Sequence, residues 1–136
     1  MLAPRCRSVL GLDVSPGMVA EARRRQAGLA NVRFEQTGGQ DLAFLPDRAF
    51  DAVLAIDSFP YIVQTGDAVA QRHVADAARI LRQGGALAIL NLSYRNDVAR
   101  DLADARRWAE AHGLQLETAD PRPFQLWDAS AYVLRR

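Results

Sequence analysis

Short apolar runs alternate with stretches of helical spacing along this chain. The runs fall at residues 8–12, 32–35, 50–56, 86–92, 114–116 and 132–134, and each predicts a strand. Between them, Ser15 reads as an N-cap with Pro16 at the first helical position, and Gly28 as the stop. Met18, Val19 and Ala22 would form the inner face of that helix, and Arg23, Arg24 and Arg25 suit its last turn. A second helix is predicted over residues 68–82, with Val74, Ala77, Ile80 and Leu81 inward and Gly84-Gly85 ending it. A third covers residues 97–112, with Val98, Leu102, Ala105, Trp108 and Ala109 inward and Gly113 as the stop.

The runs "AVLAI" and "ALAIL" are apolar without alternation, as in parallel strands buried on both faces. Strand–helix alternation around such runs predicts a three-layer α/β/α sandwich on a mostly parallel sheet. The last part differs: only "DPRPFQLWD", with two prolines, separates its two runs, which predicts an antiparallel hairpin at one edge. No repeat, low-complexity segment or linker divides the 136 residues, so a single domain over residues 1–136 is expected.

Composition narrows the chemistry. The net charge of +1 gives no electrostatic reason to expect nucleic acid or an anionic membrane. The sequence contains no lysine, which removes a P-loop lysine, Schiff-base chemistry and lysine general bases. Cys6 is the only cysteine, lies near a chain end and reads as a small residue leading into a strand. His73 and His112 fall on predicted helices as surface or packing residues, and no cluster has metal-ligand spacing. No apolar run approaches a membrane span, so a cytoplasmic protein is the default expectation.

Three segments, in order, carry a resemblance. "LDVSPGMVAEARRR" resembles the segment after the second strand of class I S-adenosylmethionine-dependent methyltransferases. "FDAVLAIDSFPYI" resembles their fourth strand and the loop beyond it, and "ILRQGGALAIL" the following helix, glycine turn and fifth strand. The resemblance implies a Rossmann-like sheet in spatial order 3-2-1-4-5-7-6 with the last strand antiparallel. Residues 8–12 then match strand two and residues 132–134 strand seven. Strand one and its glycine-rich loop have no counterpart, and Leu2-Ala3-Pro4 look like the tail of the helix that would follow. The expectation is a family member shortened at its N-terminus. Strands two and four then pair directly, another chain donates a strand, or the sequence is part of a larger polypeptide, and an unprotected inner edge would let copies associate.

The resemblance also implies a site for S-adenosyl-L-methionine, with S-adenosyl-L-homocysteine as product. Asp13 matches the acid that accepts from the ribose hydroxyls; the other role open to it is a cap on the following helix. A nicotinamide enzyme uses the same acid, but the Asp-x-Ser-x-x-Met pattern is more like a methyltransferase. Val14 and Met18 match positions that pack on the adenine. In "QTGGQDLAFL", Gly38 stands where the family carries an acid and Gly39 where it carries a small residue, which leaves backbone groups and Gln40 for the adenine edge. Asp57 matches a position near the methionine ammonium and is the most plausible proton acceptor; the plain alternative is a loop acid bonded to nearby backbone. Phe59 and Tyr61 would wall a pocket for a small-molecule acceptor, and Asn91, Tyr94 and Arg95 match the region after strand five where acceptors bind. Two other functions compete: a non-catalytic remnant acting through self-association or a partner protein, and a nicotinamide-dependent oxidoreductase, for which no Tyr-x-x-x-Lys pair exists.

Overall fold

A computed structural model describes residues 2–93, 96–120 and 129–136. The chain forms two compact units, Met1–Gly39 and Gln40–Arg136.

The first unit is a strand–helix–strand element. Strand β1 (Val9–Asp13) pairs in parallel with β2 (Val32–Gln36), Val9 opposite Val32 and Asp13 opposite Gln36, and helix α1 (Pro16–Arg25) connects them. Gly11 is required by packing: a Cβ there would lie 2.5 Å from Cδ1 of Phe34. Val19 is the buried residue of α1, whereas Met18, expected on its inner face, is exposed. Arg23, expected to serve the helix dipole, instead reaches across to β2 and donates to Phe34 O from Nε at 3.0 Å and from Nη2 at 2.6 Å. The helix ends at Arg25 with Gln26 as its C-cap, short of Gly28. Residues Ala3–Arg5 form a 3-10 turn, pinned by Asn31 Nδ2 donating to Ala3 O at 2.8 Å and Cys6 O at 2.9 Å.

The second unit holds β3 (Phe50–Ile56), α2 (Phe59–Thr65), α3 (Asp67–Ile80), β4 (Leu81–Asn91), α4 (Val98–Ala111), β5 (Gln115–Asp120) and β6 (Ser130–Arg135). Its sheet runs β3-β4-β6-β5, with β3 and β4 parallel and β6 antiparallel to both neighbours. This is the 4-5-7-6 portion of the implied order, and the expected edge hairpin is β5 with β6.

Register assigns the two faces of this sheet. Val53 and Ala55 stand opposite Leu87 and Ile89, which in turn stand opposite Leu134 and Tyr132. That face packs with Phe59, Val74, Ala77, Ala105 and Trp108 from the three helices into one core. Leu54 and Ile56, on the opposite face, are 42% and 51% exposed. The expectation that "AVLAI" is buried on both faces therefore fails within this unit, because its core forms on one face.

Two element boundaries also differ from expectation. Residues 59–62, which the resemblance placed in the loop after strand four, belong to α2, with Pro60 in its first turn and Gly66 as its C-cap. Gly84-Gly85 do not end α3, which passes directly from Ile80 into Leu81 of β4. They lie in an irregularity where residues 82–85 face Asp51 alone, since Leu81 pairs with Phe50 and Ala86 with Ala52. Gly84 has φ 77°, and a Cβ on Gly85 would lie 2.9 Å from Arg82 O and 3.0 Å from Asp51 O. Helix stops and strand bulges both need backbone that glycine tolerates, so the same residues signal either.

Candidate functional site

The end of β1 turns into α1 through a short chain of side chain–backbone hydrogen bonds. Ser15 N–H donates to Asp13 Oδ1 at 2.8 Å, and Met18 N–H donates to Ser15 Oγ at 3.3 Å, making Ser15 the N-cap. Pro16 supplies the preset φ of the first helical position. Asp13 thus shapes the turn with one oxygen, and Oδ2 has no hydrogen-bond partner among the described residues. The sharp turn leaves Val14 and Met18 on the surface, each 59% exposed.

The end of β2 closes onto the same turn. Thr37 N–H donates to Asp13 O at 3.0 Å, and Gln36 Nε2 donates to Val14 O at 3.2 Å. Gly39, at φ 72°, donates its N–H to Thr37 Oγ1 at 3.3 Å; a Cβ there would stand 2.7 Å from Val14 Cγ1. Asp13, Val14 and Gly39 are therefore brought together at the carboxyl end of a parallel strand pair, with Gly38 exposed beside them. Open α/β sheets bind ligands at that end. A carboxylate with a spare oxygen next to exposed apolar surface suits a ligand with hydroxyls and a flat ring.

In the second unit, Gln40 is exposed. Asp57 ends β3 in the left-handed region at φ 51°, exposed, with its N–H donating to Leu90 O at 2.9 Å. Tyr61 is exposed on α2. Phe59 is corrected: it belongs to the core, its ring 5.4 Å from Trp108 in an edge-on pair at 61°, because Pro60 starts a helix that turns it inward. Asn91 is likewise interior, at the end of β4 opposite Ser130, with Nδ2 donating to Leu92 O at 2.7 Å. Tyr94 and Arg95 lie outside the described residues.

Sequence reading passed over Asp101. It is fully buried in the first turn of α4, and Ser93 Oγ donates to its Oδ2 at 2.6 Å. Ser93 Oγ also accepts from Asp97 N–H at 2.8 Å, while Asp97 caps α4 by accepting from Arg100 N–H at 3.0 Å. An acid four residues after an N-cap acid, preceded by a serine, was the available signal. The Tyr132 phenol is pushed up from its ordinary value chiefly by burial; a hydrogen bond with Ser130 opposes this and the charge of Asp101 adds to it. Two hollows, of about 560 Å³ along α4 and β5 and about 380 Å³ along α1 and β2, are lined by none of the candidate residues. Among the described residues no group of His, Cys, Asp and Glu can hold a metal ion, and no helix is long and apolar enough to cross a membrane.

Residues 1–89 match the family described as "Methyltransferase domain". The chain belongs to the methyltransferase family. Methyltransferases of this class use S-adenosylmethionine as cofactor, and the mixed α/β Rossmann-like fold is theirs. The domain is 32% identical over 119 residues to the demethylmenaquinone methyltransferase of Tropheryma whipplei (strain Twist), covering 87% of this chain and 47% of that protein. It is 32% identical over 126 residues to the phosphatidylethanolamine N-methyltransferase of Cereibacter sphaeroides, covering 85% of this chain and 59% of that protein. The methyltransferase domain thus spans about half the length of the curated relatives it matches. Among solved structures, a TehB-like SAM-dependent methyltransferase from Corynebacterium glutamicum superposes with TM-score 0.73 at 22% identity, over 99% of this chain and 71% of that one.

Proposed function

We propose that this protein binds S-adenosylmethionine and transfers its methyl group to a small-molecule acceptor. The observation that carries the reading is Asp13: a carboxylate fixed by Ser15 N–H, with Oδ2 unpartnered among the described residues, beside exposed Val14 and Met18 at a strand end. Membership of the methyltransferase family supports it. The small-molecule class is supported by the acceptors in the relatives' names and by a net charge too small to favour nucleic acid.

In this reading Asp13 accepts from the ribose hydroxyls, Val14 and Met18 lie against the adenine, and the backbone of Gly38 and Gly39 meets its edge. Those residues fit the group: the carboxylate keeps acceptor capacity after holding the turn, and glycine at 39 lets the backbone close onto Val14. The bound cofactor supplies an electrophilic methyl on a sulfonium. By the resemblance, Gln40 adds an amide at the adenine edge, and Asp57 meets the methionine ammonium and takes the acceptor's proton. Tyr61, Tyr94 and Arg95 are assigned to the acceptor on the same basis. Binding and orienting the reactants is the larger share of the work in such a displacement.

Titration calorimetry with S-adenosylhomocysteine tests the reading, with one-site heat expected. Hydrogen bonds to a charged group contribute about 1.5–3 kcal/mol, so Asp13→Ala should weaken binding about ten- to hundredfold. Silence of the parent at millimolar ligand, or equal binding by the variant, would refute the assignment.

A second reading, a non-catalytic domain acting by association, is favoured by one feature. Strand β3 is the terminal strand of its sheet and presents exposed Leu54 and Ile56.

A further inference from the structure

Among the described residues of the second unit, six large hydrophobics are exposed: Phe44, Leu54, Ile56, Tyr61, Leu92 and Val98. The last four flank the carboxyl ends of β3 and β4. Ile56 closes β3, Tyr61 follows in α2, Leu92 follows the last residue of β4, and Val98 opens α4. Hydrogen bonds gather these positions. Ile56 stands opposite Leu90, and Asp57 N–H donates to Leu90 O at 2.9 Å, which sets the end of β3 against the last turn of chain before Leu92. Ser93 Oγ accepts from Asp97 N–H at 2.8 Å, which brings the start of α4 back to the end of β4.

None of the four belongs to the core. Phe59 and Asn91 turn inward at 2% and 0% exposure, whereas Tyr61 and Leu92 are 70% and 56% exposed. Val98, expected on the inner face of α4, is exposed as well, and the cap of that helix is made by Asp97. Hydrophobic residues exposed singly are ordinary. Four at the end where open α/β sheets take ligands make a surface suited to an apolar one. Asp57, next to Ile56, supplies the polar contact: it is exposed, and its carboxylate has no hydrogen-bond partner among the described residues. A carboxylate set in apolar surface favours a ligand whose polar group donates a hydrogen, and repels an anionic one.

We infer that Ile56, Tyr61, Leu92 and Val98 form the docking surface for the body of the methyl acceptor, an apolar compound that presents one hydroxyl or amine to Asp57. The inference rests on the methyl-transfer reading above and narrows its small-molecule acceptor to that class. Leu92 and Val98 enter the site on exposure alone, since nothing in their own sequence neighbourhood marks them.

The test titrates the full chain, labelled with ¹⁵N, with phenol, 2-naphthol and 2-naphthoate and follows the amide shifts. In the parent, 2-naphthol should shift the amides of Ile56, Leu92 and Val98. It should bind about tenfold more tightly than phenol, which shares its hydroxyl but lacks the second ring. 2-Naphthoate should bind about fivefold more weakly than 2-naphthol, and Asp57→Asn should close that gap. Leu92→Ser and Val98→Ser should each weaken 2-naphthol about fivefold at an unchanged urea midpoint, a combination that a structural role would not give. Shifts confined to other amides, or equal binding of 2-naphthol and 2-naphthoate, overturn the inference. So does a surface that ignores 2-naphthol but responds to concentrating the ligand-free protein, which assigns it to a second copy, or to phosphatidylcholine vesicles, which assigns it to a lipid surface. Calorimetry with S-adenosylhomocysteine keeps the two readings apart. One-site heat without naphthol binding removes the acceptor class alone, whereas silence removes the methyl-transfer reading and the acceptor role with it.

Discussion

At the scale of single residues, Asp57 combines exposure with unfavourable backbone. It lies at φ 51° where the chain leaves β3, a conformation that costs an L-residue roughly 1 kcal/mol and glycine almost nothing. Aspartate tolerates this region better than most residues, so its presence is compatible with either a functional carboxylate or a plain turn. Asp57→Gly should therefore unfold in urea at an equal or higher midpoint, by up to about 1 kcal/mol. Asp57→Val should unfold well below the parent. If glycine destabilised the protein clearly, the carboxylate would have a structural partner and the proton-acceptor proposal would weaken. What was legible at this scale was local. Asp13, Ser15 and Pro16 announce a strand end and helix start within four residues, and the structure places them so. Asp76, which accepts from Leu42 N–H, and Arg79, which donates to Leu45 O, escaped notice because those partners lie 34 positions away. Neighbouring sequence carries no trace of such pairing.

At the scale of elements, α3 and α4 are tied at their surface by Asp67 and Arg107. Arg107 Nη2 donates to Asp67 Oδ1 at 2.8 Å, and Gln71 Nε2 donates to Oδ2 at 2.6 Å. The hydrogen bond from Arg107 is the main reason the Asp67 carboxyl is held below its ordinary range. A depressed carboxylate stabilises the fold above its unfolded value of about 3.9, and that contribution disappears as pH falls through the lower folded value. Asp67 is nearly half exposed, so the effect should be about 1 kcal/mol or less. Asp67→Asn should lower the urea midpoint at pH 7 and pH 5 by similar amounts, and the gap should close as pH falls below about 4 and on through the lower folded value. A gap that persists there would mean that the asparagine disturbs packing instead. Long periodic helices and apolar strands were readable because pattern alone specifies them. Helix α2 was not: at seven residues it is too short for periodicity to assert itself, and the family resemblance implied a loop where Pro60 lies in the first turn of a helix.

At the scale of the whole molecule, the exposed face and edge of β3 stand out. Ile56, at 51% exposure, is an apolar residue in the terminal strand of its sheet. Association through that surface should appear in sedimentation velocity as a concentration-dependent shift. Ile56→Lys should suppress the shift, since an edge-strand charge resists pairing, while leaving the circular dichroism spectrum unchanged. A parent that stays monomeric at high micromolar concentration would remove the association reading. The order of the four-stranded sheet was foreseeable through the family resemblance. The exposure on β3 was not, because "AVLAI" reads identically whether one face or two are covered. Residues 82–85, set against Asp51 alone, carry a last implication for how the chain can change in length. An added or deleted residue within that slack can be absorbed before β4 aligns with β3. The same change beyond Ala86 would turn Leu87 and Ile89 outward and bring Ala88 and Leu90 in. Insertions and deletions should accordingly be survivable on one side of a single peptide bond and ruinous on the other.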